Sequence, residues 1–258
     1  MKFDAQTFRL TEASGAGNRT LIAGILVTVL SCLGYFIDSP QFYFSYLVAW
    51  LFWVSIGLGG LFFVMLNHLT GATWGMVLRR ISETVMITLP YMVIFFIPVI
   101  FGIHDLYHWS HAEEVAKDAI LSQKTGYLNV PFFIIRTIVY FAIWYLLARL
   151  LYKTSIKQDE NPDGTEIHKM RKISAPGMVL FALTISFAAF DWLMSLDAHW
   201  YSTIFGLYFF AGGLLGVLTG LVVFGLWIRR KGILSDTITV EHYHDLAKLI
   251  FSFTIFWG

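Results

Sequence analysis

The sequence predicts an all-α, polytopic transmembrane bundle, on three observations. Of 258 residues, 57% are hydrophobic and only 14% charged, with a mean hydropathy of +0.67; a soluble domain carries about 25% charged residues. Apolar runs of membrane-spanning length alternate with polar segments. Lysine and arginine gather in every second polar segment. The expected layout is a cytoplasmic N-terminal segment, residues 1–18, and a membrane domain, residues 19–258.

The first span is residues 21–37. It is longer than a signal-peptide core of about 7–15 residues, and no small-residue cleavage pattern follows it. Cys32 within it reads as a small apolar packing residue. The turn Asp38-Ser39-Pro40 leads into span two, residues 42–66, where Gly57, Gly59 and Gly60 permit close helix approach. Residues 68–80 are too polar to cross and are expected at the interface, with Trp74 at headgroup level. Span three, residues 83–103, contains Pro90 and Pro98. Each proline removes a backbone donor and clashes with the preceding turn, so kinks are expected.

Residues 104–123 form a long loop holding His104, Asp105, His108, His111, Glu113 and Glu114. Span four is residues 128–151. Residues 153–172 are a hydrophilic connector with an Asn161-Pro162-Asp163-Gly164 turn. Spans five and six are residues 175–196 and 201–228. A polar loop, residues 229–245, precedes an apolar run, residues 246–258, too short to cross. That run reads as the start of a seventh span, so the sequence is expected to be incomplete at its C-terminal end.

The basic residues fix an orientation. Lys2, Arg9, Arg19, Arg79, Arg80, Lys153, Lys157, Lys169, Arg171, Lys172, Arg229, Arg230, Lys231 and Lys248 fall on one side; only Lys117 and Lys124 fall on the other. The positive side is cytoplasmic, and so is the N-terminus. Composition also excludes function classes. A net charge of +1 without a basic patch argues against nucleic acid. One cysteine excludes a disulfide framework, a cysteine-ligated iron–sulfur cluster and covalent c-type haem within this protein. No histidine lies mid-span, which argues against a di-haem cytochrome b.

The chemistry-bearing residues concentrate in FAAFDWLMSLDAHWYSTIFG, residues 187–206. Asp191 is about 9 Å inside the outer end of span five, at 1.5 Å per residue. A carboxylate there costs about 2.5–3.5 kcal/mol on insertion scales. It shares a small or polar face with Thr184, Ala188 and Ser195, so it should look into the bundle. Arg136 enters span four to a similar depth, about 12 Å, and is the expected partner. Asp191 is then either a proton-relay carboxylate or a lock between two helices.

Asp197 and His199 mark the outer mouth, as proton-exchanging groups or as a solvated turn. His68 and Glu83 bracket the inner loop, as a proton entrance or as helix-capping residues, with Ser82-Glu83 at a helix start. Arg149 is expected to snorkel. Gly212, Gly216 and Gly220 make a small-xxx-small pattern expected to pack against another helix. The clusters His104/His108/His111 and Glu241/His242/His244/Asp245 read as solvated or interfacial rather than as metal sites.

The segments FDWLMSLDAHWYSTIFG (Phe190 to Gly206) and HDLAKLIFSFTIFW (His244 to Trp257) carry a resemblance. The protein resembles the polysulphide-reductase, or NrfD-like, family of membrane subunits, and most closely those of bacterial alternative complex III. The resemblance implies a multi-pass subunit of the bacterial inner membrane. It implies a respiratory complex that oxidises quinol and passes electrons to cytochrome c or an oxidase. Partner subunits would be an iron–sulfur protein, a c-type cytochrome and a sister NrfD-like subunit. Those partners would hold the haem c and iron–sulfur clusters. This subunit would bind no redox centre and would contact at most a menaquinone-type quinone. Asp191, Asp197 and His199 would belong to an outward polar path, with Arg136 beside it, and His68 and Glu83 to an inner one. A structural anchor and a stand-alone secondary transporter are the alternative readings.

Overall fold

The computed structural model describes residues 14–72, 75–160, 164–232, 234 and 237–258. It is an all-α bundle, with no strand among the described residues. The helices are α1 (Ser14–Leu33), α2 (Ser39–Thr70), α3 (Met76–Met86), α4 (Leu89–Phe101), α5 (Ile103–Leu106), α6 (Ala112–Lys117), α7 (Ala119–Lys124), α8 (Val130–Glu160), α9 (Thr165–Trp192), α10 (Phe205–Arg230) and α11 (Val240–Trp257). Among the described residues six segments are long and apolar enough to cross a membrane, α3 and α4 together counting as one. This is a multi-pass membrane protein. The face on which α1 begins is called the near face, and the opposite one the far face.

The central element is α2, which packs on α3, α4, α9 and α10. Its three glycines each admit a different neighbour. A Cβ on Gly57 would meet Leu89, on Gly60 the Ser82 carbonyl, and on Gly59 the Gly213 carbonyl at 2.7 Å. Asp38 starts α2 by accepting from the Gln41 N–H at 3.1 Å, with Pro40 in the first turn. α2, the α3–α4 pair, α8 and α9 enclose one core of aromatic rings, including Trp50, Phe96, Phe141, Trp144 and Trp192. α10 packs against the other side of α2, α11 packs on α10, and together they build a second core with Phe63 and Leu78. α1 stands apart, its apolar window wholly exposed.

Several boundaries differ from the sequence reading. α2 runs to Thr70, so the polar interface segment begins later; Trp74 lies outside the described residues. Helix resumes at Met76. Ser82 and Glu83 therefore stand mid-helix and cap nothing. The kink at Pro90 is a full break at Ile87–Thr88, whereas Pro98 sits inside α4. The hydrophilic connector is mostly helical. α8 continues through Glu160 because its charged residues there are good helix formers. Of the connector turn, residues 161–163 lie outside the described residues, and Gly164 has φ +82°. α9 ends at Trp192, directly after Asp191. α11 begins at Val240, where Thr239 and His242 form a reciprocal cap.

Of the expected glycine pattern of α10, Gly212 and Gly216 face other helices, α11 and α2, but the closest crossing is made elsewhere. A Cβ on Gly213 would come within 2.7 Å of the Ser55 carbonyl, which marks the close crossing, and a Cβ on Gly206 would meet Ser186. Gly212 faces Trp257, Gly216 faces Ile56, and a Cβ on Gly220 would meet open space.

Candidate functional site: a buried arginine–aspartate pair

Asp191 is fully buried in the last turn of α9. The helix dipole opposes a negative charge there. Compensation comes from α8. Asn129 caps its start by accepting from the Phe132 N–H, and Arg136 enters the bundle from the second turn. Arg136 Nε donates to Asp191 Oδ2 at 2.8 Å and Nη2 to Oδ1 at 2.9 Å. This two-pronged geometry is the strong form of the ion pair. A third donor, Nη1, reaches the Tyr127 carbonyl at 2.8 Å. The guanidinium also lies over the rings of Tyr127 and Phe132, 3.8 and 4.3 Å from their centroids.

Tyr140, one turn along α8, donates to Asp191 Oδ2 at 2.7 Å. Ser195 donates to the Asp191 backbone carbonyl. The next residue, Trp192, is equally buried; its Nε1 donates to Thr137 and its carbonyl accepts from Tyr107. Trp144 donates to Thr184 at 2.8 Å. The polar face Thr184/Asp191/Ser195 thus looks into the bundle and is answered by Arg136, Tyr140 and Trp144. Burial and the Asp191 charge push the Tyr107 and Tyr127 phenols well above their usual range. Both therefore stay protonated.

Ser195 also lines an open far-face cavity of about 670 Å³, together with His108, Glu114, Asp118, Asp197 and His199. Ser195 therefore links this cavity to the Asp191 backbone. Asp197 and His199 are exposed at its rim, and Asp197 accepts from the His199 N–H. His199 Nε2 pairs with Asp118 Oδ2 at 2.6 Å, tying the α9–α10 loop to the α6–α7 cap. Asp118 also caps α7. The Leu121 N–H, then the Ile120 N–H and His199, hold its carboxyl below the usual range. A smaller cavity, about 270 Å³, lies beside Tyr127, Phe190, Met194, Trp200 and Tyr201.

Glu83 is fully buried at the opposite end. Ser155 donates to its Oε1 at 2.7 Å, and Arg79 and Arg80 pair with it at 3.2 and 2.8 Å. Arg80 also reaches Asp159, and Arg79 reaches Gln158. His68 is buried nearby on α2. The structure brings Arg136 to Asp191 and Asp197 to His199, and keeps Glu83 and His68 apart from both. Along α8 the separation from Arg136 to Ser155 is roughly 28 Å at helical rise. Leu147, Ala148 and Leu151 fill the interval on the bundle side. Arg149 is exposed, over the Tyr145 ring.

Tyr140, Tyr127, Ser155 and Asp118 escaped the sequence reading. For Tyr140 a signal existed: Arg136, Tyr140 and Trp144 recur at four-residue spacing on one face. For Asp118 none did, because its partner lies on a distant loop. Among the described residues no group of three or more His, Cys, Asp or Glu is placed to hold a metal ion. No protein-family model matches the sequence, and no curated protein matches it either.

Proposed function

We propose that this protein is a membrane subunit of a bacterial respiratory complex that oxidises quinol and passes electrons to cytochrome c or an oxidase. In this reading it supports quinol oxidation and conducts protons, while an iron–sulfur protein, a c-type cytochrome and a sister subunit move the electrons. The near face is the cytoplasmic one. One observation carries the proton role: Asp191 is a fully buried carboxylate residue whose backbone carbonyl accepts from Ser195, and Ser195 lines an open far-face cavity shared with Asp197, His199 and Asp118. A buried carboxylate in a span is the first place to look for function. Protonation of Asp191 requires one of its three donors to let go, so conduction would proceed through opening of the Arg136 pair.

The experiment is affinity purification of the tagged protein from mild detergent. Haem c and iron–sulfur subunits should co-purify, and quinol oxidation with them. Isolation of the protein alone, with transport activity in vesicles, would contradict the reading.

A second reading is favoured by a specific observation. Both Asp191 oxygens accept hydrogen bonds, three in all from α8, and a carboxylate so held serves well as a helix lock in a purely structural anchor.

A further inference from the structure

At the near-face end of the core bundle, several buried atoms find no hydrogen-bond partner among the described residues. They are Asn67 Oδ1, His68 Nε2 and Ser174 Oγ, together with Arg79 Nε, which still pairs with Glu83 at 3.2 Å. Asn67 and His68 are 6% exposed and Ser174 is 0% exposed. Helix register sets two of these at one level. α2 and α9 run antiparallel, with Trp50 against Trp192 near one end and Met65 against Gly177 further along. These two pairs are equally spaced on both helices. One turn beyond Met65, His68 therefore stands level with Ser174. On α8, Leu147 abuts Gly177, and Ser155 follows within about two turns of the same level. Ser155 holds Glu83, and Arg79 lies within electrostatic reach of His68.

Buried hydroxyls, amides and ring nitrogens in native proteins are satisfied by protein or by bound water. We infer that this end of the bundle is an internal hydration site, in which bound water joins His68, Asn67 and Ser174 and continues to Ser155 and Glu83. The lining selects a neutral ligand. Its charges, Arg79 and Arg80 against Glu83 and Asp159, already pair with one another. What remains unpaired is an imidazole nitrogen, an amide oxygen and a hydroxyl, a donor and acceptor set that suits water. Its use rests on the proton-conduction reading: the site is the chamber through which protons reach Glu83 from the near face. The apolar layer of Leu58, Leu61, Met65, Leu147 and Leu151 separates it from Asp191.

Thiol chemistry tests the hydration directly, because the reactive species is the thiolate, which needs water. Cys32 is the one cysteine in the sequence. In Cys32→Ser protein within native membranes, Ser174→Cys, Ala148→Cys and Lys153→Cys are treated with aminoethyl methanethiosulfonate, and the mass of the protein is read. Lys153 is exposed, and Ala148 lies in the dry layer. Ser174→Cys should react at least about tenfold faster than Ala148→Cys. Equal inertness of the two, with Lys153→Cys reactive, overturns the inference. If Ser174→Cys does not accumulate, X-ray radiolysis of the unaltered protein replaces it, since bound water generates radicals in place. Oxidation of His68, with Trp144 spared, supports the site; no oxidation at His68 overturns it. Proton coupling of His68→Gln is measured separately. Hydration with unchanged coupling keeps the water site and removes its proton role.

Discussion

Arg136 and Asp191 join α8 to α9 through two parallel hydrogen bonds of 2.8 and 2.9 Å inside the bundle. Neither charge could sit there alone. Asp191 opposes its helix dipole, and both residues are nearly or fully withdrawn from solvent. The pair therefore holds two spans in register, whatever else it does.

Removing one partner should be far worse than removing both. Asp191→Ala or Arg136→Met leaves an uncompensated buried charge and should cost about 3–5 kcal/mol. The double variant Arg136→Met/Asp191→Leu should lose clearly less than the sum of the singles. Reversible unfolding in mixed micelles, read as a double-mutant cycle, measures this. Additive losses would deny the coupling.

Tyr140→Phe tests the third ligand of the carboxylate. It deletes one hydrogen bond to a charged group, worth about 1.5–3 kcal/mol, while the ion pair survives. Its effect on unfolding should be smaller than that of Asp191→Ala.

The glycines of α10 should not behave alike. Gly213→Ala drives a methyl toward the Ser55 carbonyl, a backbone atom that cannot swing away. Overpacking of this kind costs about 1–3 kcal/mol. Gly220→Ala meets open space and gains up to about 1 kcal/mol of helix propensity. Thermal midpoints of the two variants should move in opposite directions.

The far-face cap should be sensitive to acid through Asp118. Its carboxyl is held below the usual range, so it binds fewer protons folded than unfolded. Its contribution is present above the unfolded value, about 3.9, and is lost as pH falls through the lower native value. Hydrogen exchange of the Ile120 and Leu121 amides should stay slow to about pH 4 and quicken below it. Asp118→Asn should remove that acid limb.

Reading the sequence located the spans and the depths of Arg136 and Asp191, because hydropathy and helical rise are local properties. Their meeting followed from depth alone. Partners drawn from other elements were not legible. Ser155 reaches Glu83 only because α8 continues past the apolar stretch, and Asp118 reaches His199 only because the α6–α7 cap folds over the α9–α10 loop. Glu83 reads as a capping residue as well as a proton entrance because the apolar run of span three begins there, whereas α3 begins at Met76. The small residues Gly212, Gly216 and Gly220 identified a face of α10, but the crossing used Gly213, since the geometry of α2 decides which glycine is approached.

The central claim, that Asp191 carries protons within a quinol-oxidising complex, is tested most directly by Arg136→Gln/Asp191→Asn. This double variant keeps a neutral hydrogen-bonded lock and removes both charges. Proton release per electron is then measured in vesicles bearing the assembled complex. The predicted result is retained haem c and iron–sulfur partners, retained quinol oxidation and loss of proton coupling. Full assembly and turnover with unchanged proton release would contradict it.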